Sequence, residues 1–390
     1  MKNLTENGQN NKKNLLFFVS EDWYYEMHFQ QFGEAAVKDG WRVYLVCNTG
    51  QKGPEIAKRL VASGVDVTPV QFSRTGITPW LDIKAILKIF SLVNRIKPDV
   101  IHAVAQKPIL ICHVISLLAR IPLIAMITGL GHVFTANSLK ARFLKPLVTA
   151  GMRSVAKNPL SRFVVLNVED AEWICQNFRA APDKVITIPG TGVDLKRFFP
   201  PIRRPELPFK VAYVGRMLKD KGIIELIEAV KILRQKEVEL QLLLAGAPDP
   251  SNPASITLEQ LQAWQREGLC NFVGHIFAIE EFYRQIHLLA LPSYREGLGM
   301  TIIEAAASEV PSVASDVPGC RSAVINGETG ILVPAKDPQA LADAIERLIR
   351  QPELREKMGR RARTMVEDTF AVDLATRLII DQYNHILHKF

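Results

Sequence analysis

The sequence predicts an α/β protein made of two parallel-sheet domains of similar size. The chain of 390 residues is longer than one typical domain. Short apolar runs alternate with amphipathic stretches almost throughout, which is typical of strand-helix-strand units. One proline-rich break separates two such series. With 48% of the residues hydrophobic and 23% charged, the composition is that of an ordinary globular enzyme.

The first series of elements follows a polar, asparagine-rich tail, residues 1–13, which we expect to be disordered. Apolar runs predict the strands Leu15–Val19, Val43–Cys47, Val100–Ala103, Leu123–Ile127, Phe163–Leu166 and Val185–Ile188. Amphipathic stretches predict the helices Phe29–Asp39, Glu55–Ser63, Leu81–Arg95, Ile109–Ala119, Lys140–Ala156 and Val168–Asn177. The first domain is therefore predicted over residues 14–198.

The break is a linker, residues 199–208, predicted from its four prolines, since proline interrupts both helices and sheets. The second domain, residues 209–371, has the predicted strands Lys210–Val214, Leu240–Leu244, Asn271–Val273, Leu288–Leu291, Ser312–Ala314 and Gly330–Val333. Its predicted helices are Gly222–Gln235, Leu258–Glu267, Ile279–Gln285, Met300–Ser308, Pro338–Ile349 and Pro352–Asp368. A last amphipathic helix, Val372–His388, lies in residues 372–390. Parallel sheets bind ligands at the carboxyl ends of their strands, so a ligand shared by both domains is expected in a cleft between them.

The net charge of +8 comes from one part of the chain. The stretch Val100–Val168 has no acidic residue, and its basic residues are Lys107, Arg120, Lys140, Arg142, Lys145, Arg153, Lys157 and Arg162. Apolar residues such as Phe143, Leu147 and Met152 are interspersed with them. Two interpretations stay open: a solvated basic face, or a surface that contacts an anionic membrane. Nucleic acid is not expected as a partner, because no groove-reading motif accompanies the charge.

The cysteines and the apolar stretches indicate a cytoplasmic protein. The five cysteines, Cys47, Cys112, Cys175, Cys270 and Cys320, show no Cys-x-x-Cys spacing, which favours a reducing compartment. Pro108–Ile127 has the length of a membrane span, but His113, Arg120 and Pro122 interrupt it, so we expect a buried helix and strand. Any peripheral membrane contact would then be with the inner face of the plasma membrane.

Two segments of the second domain have the pattern of a phosphate- and hydroxyl-binding site. Glu296 and Glu304 stand on either side of a Gly-Leu-Gly turn, residues 297–299, that opens a helix. A helix N-terminus favours phosphate, and the carboxylates can accept hydroxyl groups. Gly215, Arg216 and Lys221 follow another strand of the same sheet and can supply positive charge. A nucleotide sugar fits this arrangement.

The motifs "VGRMLKDKGI", "PSYREGLGMTIIEA" and "PSVASDVPGCRSAVINGETGILVP" resemble the nucleotide-sugar domain of glycosyltransferase family 4. "IPGTGVDLKRF" and "VGHI" support the resemblance, which covers essentially Lys13 to the end of the chain. It implies the GT-B fold: two Rossmann-like domains that face each other across a cleft, with the last helix crossing back to the first domain. It also implies transfer with retention of the anomeric configuration.

The family's functional residues are carried over to matching positions only. The resemblance implies that Gly215 would form the turn, that Arg216 and Lys221 would hold the donor diphosphate, and that Glu296 would bind hydroxyls of the transferred sugar near the reacting carbon. It also implies that Glu304 would bind the ribose hydroxyls. The distal phosphate and sugar would meet the backbone N–H groups of Gly297, Leu298, Gly299, Met300 and Thr301. No Asp-x-Asp occurs in the chain, so we predict turnover without a metal and without a cofactor.

The acceptor side departs from the family pattern. The glycine pair common after the first strand is replaced by Ser20-Glu21-Asp22-Trp23. The histidines of other members are also absent, which leaves His28, His102 and His132, all expected near strand-end loops, as acceptor-side candidates, although a lone histidine is more often structural. "EDWYYEMHFQQFGEAAVKDGWRVYLV" and "MITGLGHVF" resemble members that extend polyprenyl-diphosphate-linked sugars in bacterial surface polysaccharide assembly. Trp23, Tyr24 and Tyr25 either stack on a sugar or pack in the core.

The predicted function is transfer of a hexose or N-acetylhexosamine, with a UDP-sugar as the expected donor, to a hydroxyl of a lipid-linked saccharide. Two alternatives stay open: a nucleotide-sugar epimerase on the same fold, and a non-catalytic nucleotide-sugar-binding protein. A nicotinamide oxidoreductase is excluded, because the first strand of each domain lacks a following Gly-x-Gly-x-x-Gly motif.

Overall fold

The computed structural model describes residues 12–50, 53–72, 79–129, 139–202, 207–250 and 252–388, with side chains described except at residues 79 and 139–143. The predicted disordered tail lies outside the described residues, apart from residues 12 and 13. The chain forms two compact units, one of Met1–Thr191 with Thr376–Phe390 and the other of Gly192–Ala375.

The first unit is built on a parallel sheet of seven strands in the order β3-β2-β1-β4-β5-β6-β7. The strands are β1 Asn14–Glu21, β2 Arg42–Asn48, β3 Val65–Pro69, β4 Val100–Val104, β5 Leu123–Ile127, β6 Ser161–Val165 and β7 Val185–Thr187. The helices are Asp22–His28, Gln30–Lys38, Gly53–Ala62, Pro79–Ile96, Gln106–Ala119, Leu139–Lys157 and Val168–Phe178, with a 3-10 turn at Pro182–Lys184.

Two of these elements were not predicted from the sequence. The strand β3 lies at the edge of the sheet, where only Val65 of its five residues is buried, so its apolar pattern is weak. Helix Asp22–His28 is additional: it ends just before Phe29, and the helix predicted over Phe29–Asp39 is present as Gln30–Lys38. Strand β3 and helix Asp22–His28 each contain few buried apolar residues, so the sequence shows no clear hydrophobic periodicity there.

Four helices cover one face of the first sheet, and one hydrophobic cluster joins their inner sides. The cluster includes Ile89, Cys112, Met152 and Ile174, one from each of the helices Pro79–Ile96, Gln106–Ala119, Leu139–Lys157 and Val168–Phe178. The opposite face of the sheet carries Phe17, whose ring packs 5.3 Å from Tyr25 between ring centroids. The outer sides of the four helices therefore form one surface of this unit.

The last helix, Val372–His388, begins in the second unit, and from Thr376 onward it belongs to the first. Tyr383 is fully buried and its hydroxyl lies 2.6 Å from Nδ1 of His102, in a hydrogen bond. Lys13 Nζ donates to the side chain of Asn384 at 2.9 Å. The chain thus returns to its first unit at the end.

The units divide between Thr191 and Gly192, ahead of the proline-rich stretch where the sequence places the linker. The cause lies in the segment just before the prolines. Val193 pairs with the end of helix Pro352–Thr369, because its N–H donates to Phe370 O at 2.8 Å. Arg363 donates to the carbonyl of Phe198 at 2.7 Å. These bonds hold residues 192–198 to the second unit.

The second unit is built on a parallel sheet of six strands in the order β10-β9-β8-β11-β12-β13. The strands are β8 Lys210–Val214, β9 Gln241–Ala245, β10 Asn271–Gly274, β11 Leu288–Leu291, β12 Ser312–Ser315 and β13 Gly330–Val333. The helices are Ile223–Gln235, Leu258–Arg266, Ile279–Gln285, Met300–Ala307, Pro318–Arg321, Pro338–Arg350 and Pro352–Thr369, with a 3-10 turn at Lys219–Lys221. All predicted elements of this domain are present with ends within one residue, and Pro318–Arg321 is additional.

The neighbours β8 and β11 run parallel, so the loops after them emerge at the same edge of the sheet. The residues predicted to bind the nucleotide-sugar donor lie at this edge. As for membrane insertion, the helices of the described residues include none that combines the length and the apolar character needed to cross a bilayer.

Candidate active site

Two loops meet at the carboxyl edge of the second sheet. The loop after β8 ends in the turn Lys219–Lys221, and the loop after β11 runs from Pro292 to Gly299. Gly222 has φ +73°, and a Cβ at this position would collide with the carbonyl of Pro292. The N–H of Tyr294 donates to the carbonyl of Asp220 at 2.9 Å. Glycine at position 222 therefore permits the close approach that brings the two loops together.

The approach places Lys221 beside Glu296. Lys221 Nζ lies 2.6 Å from Oε1 of Glu296, and the hydroxyl of the buried Ser293 donates to the same oxygen at 2.7 Å. The side chains of the ion pair are only 22% and 12% exposed, so water screens their charges less than at an open surface. Oε2 of Glu296 has no hydrogen-bond partner among the described residues. Two donors thus orient the carboxylate and leave one oxygen for a ligand.

The segment after Glu296 presents backbone N–H groups. A Cβ at Gly319 would lie 2.5 Å from the carbonyl oxygen of Glu296, so only glycine lets helix Pro318–Arg321 pack this closely against the loop. Helix Met300–Ala307 begins next, with Gly299 at its N-cap. In the described part of the chain, the N–H groups of Leu298 and Thr301 have no acceptor. Such groups at a helix N-terminus attract anions.

Arg216 supplies further positive charge at this edge, but it is not paired with Glu296. Its side chain is half-exposed, and Nη1 lies 3.3 Å from Oδ2 of Asp249. Its carbonyl accepts a hydrogen bond of 2.7 Å from the hydroxyl of Tyr213, which fixes the turn through Gly215. Burial, with Glu296 nearby, raises the pKa of Tyr213, so this hydroxyl stays protonated. Among the described residues, no three His, Cys, Asp or Glu side chains are grouped closely enough to hold a metal ion.

Glu304 lies in a second cluster. The sequence analysis did not assign its neighbours there to the site. The hydroxyl of the buried Tyr283 donates to its Oε2 at 3.0 Å. Burial raises the pKa of the Glu304 carboxyl from 4.5 to about 7, while the Tyr283 hydrogen bond and the charge of Arg197 act in the opposite direction. Arg197 itself is paired with Glu280 at 2.8 Å.

Arg197 could have been suspected from the sequence, because it belongs to the motif "GVDLKRF". Its partners could not, since Glu280 is 83 positions further along the chain.

The acceptor-side histidines are not brought together. His102 is fully buried within β4 between Tyr383 and Met126, and burial lowers its pKa to about 3. The expected position of His102 near a strand-end loop is therefore wrong, because β4 continues to Val104. His28 ends helix Asp22–His28 and packs 4.8 Å from the ring of Tyr24, and burial lowers its pKa to about 4. His132 lies outside the described residues.

The aromatic residues after β1 were expected either to stack on a sugar or to pack in the core, and they differ in this respect. Tyr25 is buried in the core, whereas Trp23 is 38% exposed. The hydroxyl of Tyr24 lies 3.3 Å from Oγ1 of Thr128, just past the end of β5. Next to them, Asp22 is 1% exposed and its Oδ2 is buried, with no hydrogen-bond partner among the residues that the structure describes. This carboxylate at the carboxyl edge of the first sheet was not singled out from the sequence as a site residue.

Two family models match the two halves of the chain. The model described as "Glycosyl transferases group 1" matches residues 195–365, which contain the Lys221–Glu296 pair and Glu304. The model described as "Glycosyl transferase 4-like" matches residues 14–157. The chain is a glycosyltransferase. It belongs to the GT-B group, because two Rossmann-like units, with sheets of seven and six parallel strands, carry these two matches.

This glycosyltransferase is similar to curated enzymes along most of its length. It is 27% identical to the capsular polysaccharide biosynthesis glycosyltransferase CapM of Staphylococcus aureus, over 81% of this chain and 84% of the relative. It is 26% identical to the N,N'-diacetylbacillosaminyl-diphospho-undecaprenol alpha-1,3-N-acetylgalactosaminyltransferase of Campylobacter jejuni, over 79% of this chain and 83% of the relative. These relatives are transferases, so the epimerase alternative is not favoured.

The fold of this glycosyltransferase is shared with a solved structure. The crystal structure of HepE from Anabaena in complex with UDP and glucose superposes with a TM-score of 0.75 at 18% identity, covering 96% of this chain and 100% of that one. At this identity the likeness concerns the fold alone. The GT-B fold predicted from the sequence is confirmed.

Proposed function

We propose that this glycosyltransferase moves a hexose or N-acetylhexosamine, with retention of configuration, from a UDP-sugar to a hydroxyl of a lipid-linked saccharide in cell-surface polysaccharide biosynthesis. The observation that carries the proposal is the Lys221–Glu296 pair beside the N-terminus of helix Met300–Ala307. A cation, a sugar-binding carboxylate and free N–H groups are there within one loop cluster. The Campylobacter relative named for a diphospho-undecaprenol-linked acceptor, and HepE with its bound UDP, support the choice of substrates.

Each donor-side residue has a role that its surroundings support. Lys221 neutralises the diphosphate, helped by Arg216 from the same loop. Glu296 accepts sugar hydroxyls with Oε2, because Lys221 and Ser293 occupy Oε1. In the segment from Gly297 to Thr301, the N–H groups of Leu298 and Thr301, which have no acceptor among the described residues, bind the distal phosphate and the sugar. Glu304 accepts the ribose hydroxyls with Oε1, while Tyr283 holds Oε2.

The reaction exchanges one C–O bond for another at the anomeric carbon. The bond from this carbon to the diphosphate breaks, and a bond to the acceptor oxygen forms on the same face of the sugar. The acceptor proton passes to the departing phosphate oxygen, so no enzymic base is required. Negative charge grows on the diphosphate as the bond breaks, and Lys221 with the helix N-terminus stabilises it more strongly at that stage than in the bound donor. We propose that these side chains supply the counter-charge without a metal.

The first unit is proposed to hold the acceptor, and the second unit the donor. We propose that Trp23 and Tyr24, at the carboxyl edge of the first sheet, stack on a sugar of the acceptor; the 38% exposure of Trp23 supports this. His102 is buried and its pKa is lowered by that burial, so we assign it a structural role instead. A lipid-linked acceptor is bound to a membrane, so we propose that the enzyme works in the cytoplasm, in peripheral contact with the inner face of the plasma membrane.

A thermal-shift panel tests the donor directly, since a ligand that binds the folded state raises the melting temperature by mass action. UDP-linked hexoses and N-acetylhexosamines should raise the melting temperature of the full chain, and one of them should support transfer to a polyprenyl-diphosphate-linked saccharide. The control is Lys221→Ala, which should lose most of the shift. The proposal fails if no nucleotide sugar shifts the wild type, or if product forms with inverted configuration.

A further inference from the structure

Tyr294, in the loop after β11, makes hydrogen bonds on both sides of Lys221. Its backbone N–H donates to the carbonyl of Asp220 at 2.9 Å, and its hydroxyl donates to Oε1 of Glu225 at 2.6 Å. Asp220 directly precedes Lys221 in the chain, and Glu225 lies in the first turn of helix Ile223–Gln235. The two bonds of Tyr294 therefore enclose the segment that carries the lysine.

The bond between the Tyr294 hydroxyl and Glu225 is of the strong kind. A length of 2.6 Å is typical of a hydroxyl that donates to a carboxylate. Oε2 of Glu225 is buried and has no hydrogen-bond partner among the described residues, so in that part of the chain Tyr294 is the one donor to this side chain. Burial and the bond to Glu225 raise the pKa of Tyr294, so its hydroxyl stays a donor. Loss of this donor would leave the carboxylate unpaired, which is costly.

A third loop packs on the ring of Tyr294. Lys336 follows β13, and its Nζ lies 4.6 Å from the centre of the ring, where a cation is attracted to the aromatic face. The strands β11, β12 and β13 run parallel, so this loop emerges at the same edge of the sheet. Tyr294 thus contacts the loops after β8 and β13 from its own loop after β11.

The two donors that orient Glu296 belong to the segments that Tyr294 joins. One is the hydroxyl of Ser293, the residue just before Tyr294, at 2.7 Å from Oε1 of Glu296. The other is Nζ of Lys221, 2.6 Å from the same oxygen. Because Tyr294 fixes one segment against the other, it also fixes the direction in which Glu296 presents Oε2.

We propose that Tyr294 and Glu225 are positioning residues for the transfer, and that their hydrogen bond holds Lys221 and Glu296 at the separation that the reaction needs. The inference rests on the proposed function of the Lys221–Glu296 pair. A small misplacement of groups around a reacting centre costs about tenfold to a hundredfold in rate. Donor binding is less sensitive, because the N–H groups of Leu298 and Thr301 also bind the donor.

Tyr294→Phe should lower kcat by about tenfold or more and change the donor KM by about twofold or less, since it disturbs alignment more than binding. Tyr383→Phe is the matched control, because it removes another tyrosine hydroxyl bond of 2.6 Å, in the first unit, and should leave kcat unchanged. Both rates are taken per folded molecule, with the folded fraction measured by chemical denaturation. Lower stability with an unchanged kcat in Tyr294→Phe would overturn the positioning role.

Substitutions of Glu225 test whether the bond itself is responsible. Glu225→Ala should lower kcat as Tyr294→Phe does, whereas Glu225→Gln should recover most of the loss, because its amide oxygen still accepts from the hydroxyl. The double variant Tyr294→Phe with Glu225→Ala should be no slower than the slower single variant, since both remove the same bond. Losses that multiply in the double variant would refute a joint role of the two residues.

Chemical labelling of Lys221 separates this inference from the proposed function. In Tyr294→Phe, acetic anhydride should label Lys221 about threefold faster or more, as measured by peptide mass spectrometry, because the lysine leaves its ion pair more often. Lys357, exposed on helix Pro352–Thr369, should react as in the wild type. Faster labelling of Lys221 in a protein whose wild type transfers no sugar would refute the proposed function and leave the positioning bond standing. An active wild type whose Tyr294→Phe variant keeps both kcat and labelling rate would refute the positioning bond alone.

Discussion

Lys221 and Glu296 are 75 positions apart in the chain, yet Nζ of the lysine lies 2.6 Å from Oε1 of the glutamate. The contact exists because β8 and β11 are neighbours in the sheet and because Gly222 admits the carbonyl of Pro292. In the proposed reaction the two side chains serve different parts of the donor, and this difference makes their roles separable by mutation.

Glu296→Gln should lower kcat by about 10²- to 10³-fold, the usual cost of losing one oriented group that stabilises the transition state. The amide keeps the shape but loses the charge that binds the sugar near the anomeric carbon. The thermal shift with UDP should persist, because the phosphate-binding N–H groups remain. Glu328→Gln, 57% exposed on another loop, is the control and should turn over normally. Unchanged turnover by the Glu296 variant would remove its assignment.

Lys221→Ala should lower kcat by about 10²-fold or more and weaken UDP-sugar binding, because the diphosphate loses its nearest fixed cation. Lys219→Ala is the matched control, since Lys219 is an exposed lysine of the same 3-10 turn with no side-chain partner in the described residues. Initial-rate kinetics on both variants would decide the matter. If the two substitutions have the same effect, a general change in charge rather than the Lys221 position is responsible.

Chelation tests the prediction that the diphosphate is neutralised by side chains. Activity should be the same in EDTA and in added magnesium or manganese, as measured by release of UDP with purified acceptor. Arg216 and Lys221 are the residues on which this expectation depends. Complete loss of activity in EDTA that only a divalent ion restores would refute it.

The pKa of about 7 for Glu304 predicts a pH dependence of stability. The carboxyl is protonated in the folded chain and ionised in the unfolded chain between pH 4.5 and 7, so the folded state binds more protons there. The free energy of unfolding should therefore fall as the pH rises through this interval. Glu304→Gln, which has no proton to release, should flatten the curve, as chemical denaturation at several pH values would measure. An identical curve for the variant would show that other groups set the dependence.

Donor binding should respond to the same group in the opposite direction. The ionised carboxylate is the better hydrogen-bond acceptor for ribose hydroxyls, so the affinity for the nucleotide sugar should rise as the pH passes about 7. Isothermal titration across this range, with Glu304→Gln alongside, tests it. A pH-independent affinity in the wild type would argue against contact between Glu304 and the ribose.

Tyr383→Phe should lower the free energy of unfolding by about 1 kcal/mol or more, because it removes the 2.6 Å hydrogen bond to the buried His102. Transfer per folded molecule should be unchanged, since this bond ties the last helix to the first sheet and lies away from solvent. Denaturant titration and initial rates on the same preparation measure the two effects. Lost transfer with unchanged stability would return His102 to the list of catalytic candidates.

The order of the elements could be predicted from the sequence because strands in a parallel sheet are buried on both faces. Such strands, β8 and β11 for example, form apolar runs that stand out from the amphipathic helices around them. The edge strand β3 is half exposed and gives no such run, so it was missed. The local part of the candidate site was predictable for a similar reason, since Glu296 and Glu304 lie on the two sides of one turn.

The partners of these residues were not predictable, because they come from distant parts of the chain. Tyr283 and Arg197 lie near Glu304, and nothing in the local sequence indicates this. His102 was expected near a loop, but burial against Tyr383, which is 281 positions away, makes it a core residue.

By itself the sequence determined the α/β class, the two sheets, the GT-B family pattern and the residue types available for a nucleotide sugar, because backbone periodicity and short motifs are local properties. The tertiary structure alone decided which charges are paired, which carboxyl has a raised pKa and which apolar side chains stay exposed. These depend on burial and on contacts between distant residues, and such contacts exist only once the chain has folded.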